Sequence, residues 1–180
     1  MIIRLRNSIL SVLSLACSMN VTADDIHQYC NPAIHPTAPD SRYRILGEGH
    51  EVMDLRTRLV WQRCDMGQTW DGAVCQGRST FVTLPDAQAA AIRLSQGWRV
   101  PEIRELQTLV EYACAEPSRN LRMFPLDRYG NLGYWSVTPV SSQRRHVWGV
   151  DFHDGNSTPE SADNAIPRTR LVRGPVKYQP

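Results

Sequence analysis

Apolar residues recur along the chain in two rhythms. Residues 43–62 hold three short runs, Tyr43 to Leu46, His50 to Leu55 and Leu59-Val60-Trp61-Gln62. Gly47-Glu48-Gly49 and Arg56-Thr57-Arg58 separate them, which predicts a three-stranded antiparallel meander. From residue 83 the spacing lengthens to three or four. Leu84, Ala87, Ala91 and Leu94 make a narrow helical stripe, with Thr83 and Asp86 placed as a capping box, Pro85 in the first turn and Gly97 as the stop. A second stripe, Ile103, Leu106, Leu109, Val110 and Ala113, predicts a helix from Pro101 to near Cys114. Glu102 and Glu105 stand in its opening turns, where negative charge suits the helix's positive end. Trp98 and Val100 precede it, in a segment that Pro101 biases towards extended.

The remaining segments are irregular or extended. Cys64 to Cys75 is a Gly-containing loop in which Trp70 is expected to pack inward as an anchor. Residues 115–133 are broken by Pro117, Pro125, Gly130 and Gly133, with Phe124 as the expected buried anchor. Strands return at Tyr134 to Val137 and His146 to Phe152, followed by an Asp154-Gly155 turn. Residues 156–167 read as a polar loop and Thr169 to Val172 as a closing strand. Strands, two helices, a long loop and strands again predict an α+β fold, with the helices segregated from a twisted antiparallel sheet.

The first 23 residues are set apart. Arg4 and Arg6 precede the apolar run Ile9 to Ala16, and Val21-Thr22-Ala23 stands before Asp24, the pattern of a secretory signal peptide. Lipid attachment at Cys17 is a weaker rival, because Ser14 stands where a bulky apolar residue is usual. No stretch reaches the ~20 apolar residues of a transmembrane helix. Residues 24–42 then read as an extended lead-in, 43–174 as the folded domain and 175–180 as a frayed tail. Of 20 basic and 18 acidic residues, cleavage after Ala23 removes two arginines and no acid, leaving 18 of each. A formal charge of zero gives no reason to expect nucleic acid or an anionic membrane as partner.

Cys30, Cys64, Cys75 and Cys114 remain after cleavage. An even count in an exported chain implies disulfides, with three connectivities. Cys64 and Cys75 flank one short loop, which favours their pairing and leaves Cys30 to join Cys114. Zinc is the alternative, but no CxxC pair is present, so no metal is expected.

Several motifs recur together in one order: Val60-Trp61-Gln62-Arg63-Cys64, Gln68-Thr69-Trp70-Asp71-Gly72, Trp98-Arg99-Val100-Pro101 with Glu105-Leu106, Tyr134-Trp135-Ser136, Val150-Asp151-Phe152 with Gly155, and Arg170-Leu171-Val172-Arg173-Gly174. The ordered set resembles the bacterial domain family typified by the C-terminal domain of the Legionella collagen-like adhesin. That resemblance implies a C-type-lectin-like fold, akin to the formylglycine-generating enzymes. The Gly-X-Y repeat of the namesake's stalk is missing.

Catalysis is not expected. There is no Gly-x-Ser-x-Gly elbow, no His-Glu-x-x-His and no phosphate-cradling loop, and no cysteine follows Cys114 to serve the formylglycine chemistry. No cofactor is implied. Asp151, Asp154 and Asn156 could offer oxygens to calcium, but a hard cation wants six or more. Cations cluster late in the chain. Arg144, Arg145 and His146 sit at a loop-to-strand junction, Arg168, Arg170 and Arg173 follow the last loop, and Arg119, Arg122 and Arg128 crowd the long loop beside Tyr129. Guanidinium groups sharing one surface would engage sulfates bidentately, and the namesake's glycosaminoglycan binding implies the same ligand class. The candidate ligand-binding residues are therefore Arg128, Tyr129, Arg144, Arg145, His146, Asp154, Asn156 and Arg170. The expected function is an exported, non-enzymatic domain that recognises a glycan or a cell-surface protein. The alternative is a structural or accessory subunit of a cell-surface appendage or envelope assembly.

Overall fold

A computed structural model describes residues 27–126, 132–164 and 167–174. The architecture is α+β with antiparallel sheets and two helices. Strand β1 (Tyr29–Cys30) leads to the expected meander of β2 (Tyr43–Leu46), β3 (Glu51–Asp54) and β4 (Val60–Gln62). The loop after it carries a small ladder, β5 (Thr69–Trp70) with β6 (Cys75–Gln76). Helices α1 (Leu84–Leu94) and α2 (Ile103–Gln107) follow, then β7 (Cys114–Ala115), which pairs with β1. The chain closes with β8 (Gly133–Pro139), β9 (His146–Asp151), β10 (Asn156–Ser161) and β11 (Val172–Arg173). Strand β11 returns to the first sheet, giving the order β11-β4-β3-β2 beside a second sheet ordered β10-β9-β8.

Both disulfides form as the spacing indicates, Cys30–Cys114 and Cys64–Cys75. Helix α1 is capped by Thr83, whose side chain accepts from the Asp86 N–H. Its Leu84, Ala87 and Ala91 are buried against Val60, Trp135 and Leu171. A second core gathers Trp61, Leu106, Phe124, Tyr134, Phe152 and Val172, with edge-to-face ring pairs Tyr43–Phe124 at 5.4 Å and Tyr134–Phe152 at 5.2 Å. Among the described residues no helix is long and apolar enough to cross a membrane.

Three elements differ from the expectation. Helix α2 stops at Gln107 instead of running towards Cys114. Beyond it the backbone tightens: Leu109 N–H donates to the Leu106 carbonyl and Glu111 N–H to that of Ser118. Leu109, Val110 and Ala113 are still buried, so their spacing reported burial and not a helix. Residues 156–161 are an edge strand, not a loop. None of them is buried, so no apolar alternation marks it, and Pro159 lacks the N–H that an inner strand would need. Pairing of the closing strand begins only at Val172, opposite Trp61.

Candidate functional site

Among the described residues the expected cationic surface is not assembled. Arg144, Arg145 and His146 lie at the β8–β9 turn, the two arginines exposed. Arg145 is ion-paired with Asp163 at 2.5 Å, and the His146 Nδ1 lies 3.0 Å from the Arg144 carbonyl oxygen. Asp154 and Asn156 occupy the opposite end of β9. With six residues rising ~3.3 Å each, the two ends stand roughly 17–20 Å apart. Asn156 donates to Asp154 from its backbone N–H at 2.9 Å and from its amide at 2.6 Å, so the pair closes its own turn. Among the described residues no three His, Cys, Asp or Glu side chains come together as a metal site would need. Arg128 and Tyr129 lie outside the described residues.

Arg170 requires a correction, because it is 1 % exposed and does not face a ligand. Arg168 and Arg170 are two residues apart in extended chain, so both point to one face, and that face is the interior. Arg170 donates to Asp65 and to the carbonyls of Gln62 and Arg63. Arg168 donates to Asp65 at 3.3 Å and to Ser79 at 2.5 Å. The Tyr134 hydroxyl donates to Asp65 at 2.8 Å and accepts from Arg119 at 2.6 Å. Burial, first of all, raises the Tyr134 hydroxyl pKa above its usual value, with Arg119 nearby opposing. Further cations are matched nearer the surface, Arg122 by Asp40 and Arg173 by Glu51.

A different constellation forms where the motifs converge. The meander turn brings His50 and Glu51 beside Gln62 at the end of β4. The disulfide-closed loop contributes Cys64, Gln68, Thr69 and Trp70, and the segment before α2 contributes Trp98. Together they line a groove of about 180 Å³. Both tryptophans are largely buried, and one face of each ring is covered by a guanidinium, Arg63 at 3.7 Å from the Trp70 centroid and Arg173 at 4.9 Å from Trp98. Trp70 is thus the inward anchor its loop was expected to hold. Gly49 has φ +97°, and a β-carbon there would stand 2.4 Å from the Trp70 indole nitrogen, so this glycine admits the ring.

The groove presents two carboxamides, an imidazole, a hydroxyl and one carboxylate. The Glu51 carboxylate is held by Arg173 at 2.5 Å, and Gln68 is tied to its own loop through the Asp65 N–H and the Gly77 carbonyl, each at 3.3 Å. The His50 and Gln62 side chains carry no hydrogen bond among the described residues, and this leaves them available to a ligand. Neither stood out in the sequence as chemistry. The signal that could have found them is their position in or beside the motifs Val60 to Cys64, Gln68 to Gly72 and Trp98 to Pro101.

Comparison with known proteins adds one finding. A search of curated proteins and a search of solved structures each found no match. A family model described as the Lcl C-terminal domain matches residues 50–173, from the start of the groove at His50 to the end of β11. With well over half its length in that match, the chain belongs to the Lcl C-terminal domain family.

Proposed function

We propose that this protein is an exported binding domain without catalytic activity of its own, and that it recognises a glycan through the groove between Trp70 and Trp98. The observation that carries the reading is the groove's composition: carboxamides, an imidazole and a hydroxyl beside two indoles. Carboxamides both donate and accept, as sugar hydroxyls do, and of the two that of Gln62 is not engaged among the described residues, while Gln68 is held by its own loop. The frame is rigid, because the Cys64–Cys75 bridge closes the loop that bears Gln68, Thr69 and Trp70. Export is supported by the charged and apolar N-terminal stretch and by two disulfides, which persist in oxidising compartments. Membership of the family points the same way, to an extracellular domain.

The test is a glycan array probed with the wild type and two double variants. His50→Ala with Gln62→Ala should lose binding at least tenfold while keeping its fold, about 1.4 kcal/mol by the affinity relation. Arg144→Ala with Arg145→Ala should bind as the wild type does. The opposite result, loss in the arginine pair with preference for sulfated sugars, would move the site to the β8–β9 turn. Wild type that binds no glycan would bring forward an accessory role in a surface assembly. One observation favours that second reading, the exposure of Ile92 (77 %) and Leu94 (48 %) on α1.

A further inference from the structure

The groove does not end at the two glutamines. A second cavity of about 350 Å³ begins where the first stops, and Gln62 and Gln68 line both. Its other walls are Met66 and Gly67 from the disulfide loop and Ala90, Arg93 and Leu94 from α1. The first cavity alone is smaller than the ~300–1,000 Å³ of ordinary small-ligand sites, and the two together lie within that range. The near compartment mixes polar groups with the two indoles. The far one has apolar side chains in Met66, Ala90 and Leu94, a surface suited to the C–H face of a sugar ring.

The charges along this path are almost all taken. Asp65 borders the far cavity, but its oxygens accept from Arg168, Arg170 and Tyr134. Glu51 in the near cavity is paired with Arg173. Arg93 is exposed and has no hydrogen bond or ion pair among the described residues. One cation against two carboxamides is poor provision for a polyanion, whose attraction would need several guanidiniums on one surface. It is adequate for hydroxyl and acetamido groups, which both donate and accept hydrogen bonds.

Resting on the glycan reading above, we infer that the ligand is an uncharged oligosaccharide of at least two sugar units, lying across both cavities with its glycosidic linkage over Gln62 and Gln68. One ring occupies the Trp70–Trp98 compartment and the next lies against Met66 and α1. Recognition then depends on chain length, and Ala90 is a specificity-determining position, since a larger side chain there fills the far compartment without reaching the near one.

The experiment titrates the full mature chain with glucose, N-acetylglucosamine and mannose and their β-1,4-linked di- and tetramers, beside heparin di- and tetrasaccharides. For the neutral series that binds, affinity should rise tenfold or more from monomer to dimer and then level off. Ala90→Trp should erase that gain. Ala90→Leu, gentler on the helix, should reduce it in part, with circular dichroism confirming the fold of both. Equal affinity for monomer and dimer, or a dimer bound by Ala90→Trp as by the wild type, would overturn the two-compartment ligand while leaving the glycan reading intact. Binding of the heparin fragments alone would overturn the uncharged ligand. Retention of sugar by His50→Ala with Gln62→Ala would overturn the groove itself, and failure of every sugar on the panel would remove both readings.

Discussion

Arg168 and Arg170 reach Asp65 from the last segment of the chain, more than a hundred residues away in sequence. All three are at most 1 % exposed. Their charges survive burial because backbone carbonyls and Ser79 accept from the guanidinium groups and the Tyr134 hydroxyl donates to the carboxylate. Asp65→Ala should therefore cost about 3–5 kcal/mol, the usual penalty for orphaning a buried pair, read as a drop in the urea midpoint. A loss under 1 kcal/mol would show the network to be dispensable. Glu111 acts at the same scale on the N-terminal segment. Burial alone would raise its carboxyl pKa, but the N–H groups of Thr37, Ala113 and Ala38 outweigh it and hold the group below its usual 4.5. A depressed carboxyl contributes stability that is complete above its unfolded value and is lost as pH falls through the folded one. Amide exchange at Thr37 and Ala38 should thus show less protection at pH 3 than at pH 6, after correction for intrinsic rates. Equal protection would exclude Glu111 as their clasp. None of this was legible as sequence, where Asp65 is one acid in a loop and the late arginines look like surface.

At the scale of elements, α1 was readable because every signal for it is local: a cap, a proline in the first turn, a stripe and a stop. Helix α2 was half readable. Its start is marked by Pro101 and by Glu105, which accepts from the Glu102 N–H at 2.9 Å and from Arg99 at 2.6 and 2.7 Å. Its end is set by contacts with the chain around Ser118, which no local pattern announces. Strand β10 was unreadable because an edge strand with no buried residue has no apolar rhythm. The turn between β2 and β3 offers a test of how elements position the groove. Gly49→Ala would place a methyl inside the Trp70 ring's space at a backbone angle that only glycine adopts easily. It should cost about 1–3 kcal/mol, as overpacking does, and shift the tryptophan emission as Trp70 moves. Unchanged emission and stability would show that the turn and the loop are not coupled.

For the whole molecule, the two bridges close loops of very different length. Cys30–Cys114 spans 84 residues and Cys64–Cys75 only 11. By chain entropy the first should stabilise by about 4.5 kcal/mol and the second by about 3. Cys30→Ala with Cys114→Ala should accordingly unfold at lower urea than Cys64→Ala with Cys75→Ala, although the short bridge lies nearer the groove. The reverse order would mean that the short loop carries native contacts the fold depends on. The α+β class, the meander, the first helix, the pairing of the cysteines and the family motifs were all determined by the sequence itself. Each depends on spacing between near neighbours or on an ordered set of short words, and such signals survive without coordinates. The site was decided only in three dimensions. An arginine at position 170 meets Asp65 and not solvent because both faces of its extended segment are covered, Thr169 and Leu171 as fully as Arg168 and Arg170. That the β4 end, the disulfide loop and the segment before α2 share one groove depends on β11 returning to β4 and holding those segments together. Side-chain direction and long-range juxtaposition are properties of packing, so a linear chain with its cations clustered late could suggest a cationic patch, of which folding buried Arg168 and Arg170 and paired Arg145 with Asp163.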